Sequence, residues 1–157
     1  MPQWYESILQ QTTAAIAGAW SDVVDVVRPE QLQRRNWNQD LENANLHFPL
    51  AIVHVGRAAS ATDFSADRVA LRVAVTVYRI ERWEGAGGDQ TTDVFGACAD
   101  LAYWLHTNAL TDLLVDMSRG VEINSSATTN AALMALMRIT QPLTCASLKF
   151  DALTGFR

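Results

Sequence analysis

Along residues 68–82, RVALRVAVTVYRIER, apolar side chains take every second position. Val69, Leu71, Val73, Val75 and Val77 alternate with Ala70, Arg72, Ala74, Thr76 and Tyr78. Successive side chains of a strand point to opposite faces of a sheet, so this pattern predicts a half-buried antiparallel strand with one dry face and one wetter face. Valine and threonine suit a pleated surface. The run exceeds the usual ~5–6 residues, so a long element must lie beside it.

The remaining patterns fall on either side of this strand. From Tyr5 to Val27, Ile8, Ile16, Ala19, Trp20, Val23, Val24 and Val27 return at helical spacings, which predicts an amphipathic helix stopped by Pro29. Gly18 inside it costs roughly 1 kcal/mol relative to alanine, and its expected use is close approach to the sheet. Residues 28–45 are polar, with Leu32, Trp37 and Leu41 the large apolar exceptions, and read as a connector with one short helical turn. LHFPLAIVHV, residues 46–55, is apolar on both alternations, as in a strand covered on both faces, with Pro49 near its beginning.

Two long loops flank the central strand, GRAASATDFSAD at 56–67 and ERWEGAGGDQTT at 81–92. They exceed ordinary hairpin length, and Phe64 and Trp83 are poor residues for loops that meet only water. Thr92 or Asp93 can cap a helix running to about His106, whose stripe of Val94, Phe95, Cys98, Leu101, Ala102 and Leu105 is expected to pack on the dry face. Residues 111–118 fit a short helix or the approach to a strand, 121–124 alternate as a short strand, and 125–130 read as a turn. Residues 131–144, AALMALMRITQPLT, alternate and contain good helix formers; a strand is expected, with Pro142 at its edge. The tail from Cys145 is expected to be partly extended and then loose. The sum is one α+β domain over residues 1–157, a mostly antiparallel sheet with helices packed on one face, in the order α-β-β-α-β-β.

Composition changes this picture in one respect. Apolar residues make up 49% and charged residues 18% of the chain, against ~25% charged in ordinary soluble domains. A charge-poor surface is either one of small polar residues, which composition alone favours, or one partly covered by partners. Net charge is −5 and the arginines are scattered singly or in pairs such as Arg34-Arg35, so the basic stripe of a free-standing nucleic-acid binder is missing from the sequence. No run approaches the ~20 apolar residues of a membrane span, and the first ten residues lack the pattern of a signal peptide; a soluble, unexported chain is expected. Cys98 and Cys145 stand in apolar surroundings without metal or redox spacing and are expected to be reduced core thiols.

Candidate chemistry is sparse. His47, His54 and His106 share no ligand spacing and fall on different elements, with His54 expected as a hydrogen-bonded interior residue. The glycine-rich GAGGDQ at 85–90 follows a strand and precedes a helix, but Glu81, Glu84 and Asp89 around it would repel a phosphate. Asp22 with Asp25, and Asp63 with Asp67, read as solvated surface acids. No catalytic, cofactor or metal site is expected, and the chain is not expected to be an enzyme.

FPLAIVHVG at 48–56, answered by RVALRVAVTVYRIER, in this order of elements and in a chain of this size, resembles the tail-terminator proteins of long-tailed bacteriophages and related gene-transfer particles. The resemblance runs from the first helix to Pro142 and rests on pattern and order. It implies a structural virion protein, located in the tail and neck and in the host cytoplasm during assembly. Such a protein forms a ring with itself, a hexamer, that caps the tail tube, ends its growth and presents a docking surface to head-tail connector and neck proteins. Sheets of neighbouring subunits would adjoin around a channel through which DNA only passes, with no membrane involved. Phe64, Arg79, Arg82, Trp83 and Glu84 are the candidate subunit and tube contacts, because aromatic and arginine side chains carry disproportionate binding energy. The connector at 28–45 would be an extra docking surface or an insertion. A head-completion or connector protein of the neck would share this composition, and a monomeric α+β ligand-binding domain or enzyme is the competing class.

Overall fold

A computed structural model describes residues 3–32, 36–42, 47–60, 69–83, 91–107, 114–115, 120–140 and 142–156. In chain order the elements are α1 (Gln3–Ala19), β1 (Val26–Val27), a single 3-10 turn (Pro29–Gln31), α2 (Trp37–Glu42), β2 (Leu50–Ser60), β3 (Val69–Trp83), α3 (Thr91–Thr107), β4 (Leu114–Val115), β5 (Glu122–Asn124), α4 (Ser126–Met137) and β6 (Leu143–Phe156). The fold is α+β with a mostly antiparallel sheet ordered β1-β2-β3-β6-β4, and β5 also pairs with β6. Among the described residues only the β1–β2 pair is parallel.

The predicted strand at 68–82 is the centre of this sheet, and its long neighbours are β2 and β6. Val73, Val75 and Val77 are fully buried on the dry face, with Ala51 and Val53 of β2 and Leu148, Phe150 and Ala152 of β6. α1 and α3 close this first core with Ile8, Leu9, Ile16, Val94, Cys98 and Leu101. Burying each such side chain favours folding by ~1.5–3 kcal/mol.

The opposite face is not simply wet. Ile52, Tyr78, Ile80, Leu143 and Cys145 form a second core beneath Leu133 and Met137 of α4, with Trp37 of α2 and Leu32. Helices therefore lie on both faces rather than one. The polar connector at 28–45 supplies part of this core: Trp37 is 1% exposed and donates Nε1–H to the Leu32 carbonyl at 2.9 Å, so its large aromatic faces inward rather than out to a docking partner.

Residues 131–137 belong to α4, not to a strand, and the expected turn at 125–130 is the beginning of that helix. Period two would place Leu133, Ala135 and Met137 together, but Ala135 is exposed while Thr129, Leu133 and Met137 are buried at a spacing of four. The same helix supplies hydrogen bonds that the edge of β6 would otherwise lack. Asn130 donates Nδ2–H to the Leu143 carbonyl and accepts the Leu143 N–H, both at 2.7 Å. Ser126 treats Cys145 in the same two-sided way, at 2.6 and 3.1 Å. Beyond them β5 pairs with residues 147–149 and β4 with 152–153. A buried strand edge must find partners for its N–H and C=O groups, and here side chains stand in for a strand.

Three other boundaries differ from expectation. α1 ends at Ala19, because residues 20–23 turn and Val26–Val27 pair with β2, aided by the Ala51 N–H to Asp25 carbonyl bond. Gly18 meets α3 rather than the sheet: a Cβ there would fall on the indole ring of Trp104, with two ring carbons at 2.8 Å. The tail is a full central strand, β6, paired with β3 from Leu143 to Phe156. The expected loops begin later than predicted, since β2 continues to Ser60 and β3 to Trp83; residues 61–68 and 84–90 lie outside the described residues.

Candidate interaction surfaces

The five residues singled out for contacts fare differently. Phe64 and Glu84 lie outside the described residues, and Arg82 and Trp83 end β3 opposite Thr144 and Leu143, just past a register shift after Ile80. Arg79 is corrected: it is 5% exposed and bound within its own chain. It stands on the face of β3 that carries Val73, Val75 and Val77, where a bare charge could not remain. Its Nη1 and Nη2 donate to the two Asp22 carboxylate oxygens at 3.2 and 2.8 Å, and Nε donates to Glu81 at 2.8 Å. The guanidinium carbon sits 5.1 Å from the centroid of the Trp20 ring, a cation–π contact. Trp20 in turn donates Nε1–H to the Ala97 carbonyl at 2.8 Å. Arg79 thus joins the turn after α1 to β3, and through Trp20 to α3. Asp22, read from sequence as a solvated acid, is the missed partner; its carboxyl is held below the usual range chiefly by the Arg79 hydrogen bond.

A second guanidinium pairs similarly. Arg28 bonds Glu6 of α1 through two nitrogens at 2.9 and 2.7 Å and approaches Glu30 at 2.8 Å, fastening the 3-10 turn to α1. Both clusters tie separate segments of the fold together. Cys98 and Cys145 are buried free thiols, and burial pushes the Cys98 thiol up to about 12. His54 is half-buried on β2 opposite Thr76, and desolvation lowers its pKa. Among the described residues no three His, Cys, Asp or Glu side chains gather as a metal site, and no helix is long and apolar enough to cross a membrane.

Two kinds of surface remain. The first is helical and nearly uncharged. α1 exposes Gln10, Ala14, Ala17 and Gly18; α3 exposes Phe95, Gly96, Ala99 and Tyr103, with Asp100 its one described exposed carboxylate; α4 exposes Ala127, Thr128, Ala131, Ala132 and Ala135. Tyr103 is 71% exposed. α1 and α3 cover one face of the sheet and α4 the other, so uncharged helical faces look outward on both sides. The second surface is the part of the sheet that α4 leaves uncovered, where β2, β3 and β6 continue with polar and charged side chains. A shallow hollow of about 160 Å³ lies at its border, lined by Gly120, Val121, Glu122, Lys149, Phe150 and Asp151.

Compared with known protein-family models and with curated proteins, the chain matches none.

Proposed function

We propose that the chain is a ring-forming structural subunit of a phage-type tail terminator, which caps the tail tube and offers its outer surface to neck proteins. The observation that supports this reading is the pair of charge-poor helical faces on opposite sides of one sheet. An isologous dimer uses one patch twice, whereas a head-to-tail contact needs two different patches and closes into a ring when its rotation permits. α3 offers projecting Phe95 and Tyr103, and α4 a flat row of alanines. The contact between subunits is then helix on helix, rather than the adjoining sheets that the resemblance implies.

The test is native mass spectrometry of the purified chain, alone and mixed with a tail-tube protein. A closed oligomer, formed alone or with tube protein, is expected. Ala131→Glu places a charge on an exposed alanine of α4, keeps the native secondary structure by circular dichroism and disperses the oligomer. Trp83→Ala leaves the fold intact and weakens docking to the tube. A monomer that ignores tube protein at high concentration refutes the reading and favours a monomeric binding domain.

A further inference from the structure

The outward faces of α3 and α4 each carry one exposed charge among the described residues, and the two are opposite in sign. Asp100 is the exposed carboxylate of α3, and α4 has no charged side chain before Arg138, which caps its C-terminus. Among the described residues neither side chain joins an ion pair within the subunit, whereas Arg28 and Arg79 are each neutralised by two carboxylates. Nor can Asp100 and Arg138 meet inside one subunit, since α3 packs on one face of the sheet and α4 on the other.

Arg138 is fixed in place by its main chain. Its φ of 55° and ψ of 41° lie in the left-handed region, its N–H donates to the Met134 carbonyl, and its own carbonyl accepts Asn38 Nδ2–H at 3.3 Å. Glycine adopts this conformation without the steric cost that a Cβ brings. An arginine here carries that cost with no ion pair in its own subunit to offset it, the pattern of a side chain whose partner is another molecule.

The spacings on the two helices agree. Asp100 stands three residues before Tyr103 and Arg138 three residues after Ala135, ~4.5 Å along either helix axis. When α3 of one subunit crosses α4 of the next in the antiparallel sense, Tyr103, 71% exposed, lies on the exposed Ala135, and Asp100 reaches Arg138 at the same step.

We infer that Asp100 of one subunit pairs with Arg138 of the next, and that this pair sets the direction and register of the contact between copies. The inference rests on the ring proposed above. A second copy is the occupant because complementary charges stand on different faces of one chain, so copies joined head to tail satisfy both. The contact of Tyr103 with α4 supplies affinity, while the ion pair orients the encounter and disfavours other pairings of the same helices.

The test is a charge exchange on the full-length chain, read by native mass spectrometry and sedimentation under the condition that assembles wild type, with circular dichroism reporting the fold. Asp100→Arg and Arg138→Asp each place like charges across the contact and should weaken it about tenfold; aspartate is tolerated in the left-handed region. Asp100→Asn, a milder change, should weaken the contact about threefold and flatten its salt dependence. Mixing the two charge-reversed variants should restore assembly, because each supplies the charge that the other lacks, and the restored oligomer should contain them in equal number. The double variant Asp100→Arg with Arg138→Asp should assemble by itself. Single variants that assemble as readily as wild type overturn the pair and leave the ring standing. Dispersal that neither mixing nor the double exchange reverses also overturns the pair. A wild-type chain that stays monomeric, alone and with tube protein, overturns ring and pair together.

Discussion

Replacing Arg79 by methionine keeps most of the side-chain volume and removes the charge, and it separates an internal tie from a partner contact. Arg79 is 5% exposed, and its two carboxylate partners differ: the side chain of Asp22 is 57% exposed and that of Glu81 only 15%. Removing one member of a buried ion pair costs ~3–5 kcal/mol because the other charge is stranded. Asp22 can rehydrate, so its share is that of a surface pair, under ~1 kcal/mol. Glu81 cannot rehydrate as readily, and Trp20 loses its cation. The expected loss is about 3 kcal/mol. In a domain of this size each kcal/mol shifts the melting temperature by ~2–4 °C, so thermal denaturation should shift down by ~6–12 °C. Adding Glu81→Gln to Arg79→Met removes the stranded carboxylate and should recover part of the loss, a coupling expected of contacting groups. The pH dependence has a definite sign. The Asp22 pKa is depressed in the folded chain, so its contribution is present above the ordinary carboxylate value and is lost as pH falls through the folded one. Wild-type stability should therefore decline below about pH 4, more steeply than that of Arg79→Met. An unchanged melting temperature at pH 7 in Arg79→Met, with oligomerisation impaired, would refute the internal role and return Arg79 to the interface.

Gly18→Ala should destabilise by up to ~2 kcal/mol in chemical denaturation, because overpacking against Trp104, ~1–3 kcal/mol, outweighs the ~1 kcal/mol gained in helix propensity. Asn130→Leu should cost ~2 kcal/mol by leaving the Leu143 N–H and C=O without their side-chain partners; Asn130→Asp keeps the acceptor and loses the donor, and should not restore stability. Neither thiol should react with Ellman's reagent at pH 8 in the native protein, since both are buried and Cys98 is pushed up to about 12, while both should react in denaturant.

The pattern at 68–82 was legible because one face of β3 is dry along the run of valines, and alternation reports a difference between faces. Where that difference vanishes, the signal vanishes with it. Residues 143–148 of β6 are buried on both faces, so the second central strand looked like a partly extended tail. α4 is obscured for the related reason that apolar and small residues surround the helix, and residues 133–140 satisfy period two by accident. Its helix-forming alanine, leucine and methionine content was the better guide. Val27 continues the helical spacing of α1, yet the edge of β2 pairs with Val26 and Val27, a tertiary effect that local sequence does not carry. The Asp22–Arg79 bond spans 57 positions and Trp37 reaches a core made of strands far along the chain; neither has a local signature. Arg79 was misplaced because arginine at a dry-face position reads as an exception, and its compensating acids are visible only after folding.

The distribution of charge follows from these placements. Two of the arginines, Arg28 and Arg79, are consumed in pairs that hold the turn and 3-10 segment after α1 against the rest of the fold. The outward helical faces then carry almost none of the remaining charge, while the uncovered sheet collects Arg57, Arg72, Lys149, Glu122 and Asp151. A low overall charge therefore does not describe a uniformly bland surface. It describes helical faces that lose little on being covered by protein, beside a sheet face that would lose hydration and hydrogen bonds if covered by an apolar partner. On the proposed reading, that difference gives the two surfaces different occupants: another subunit covers the helical faces, where little hydration is lost, and water stays on the sheet face, where covering it would strand charged groups.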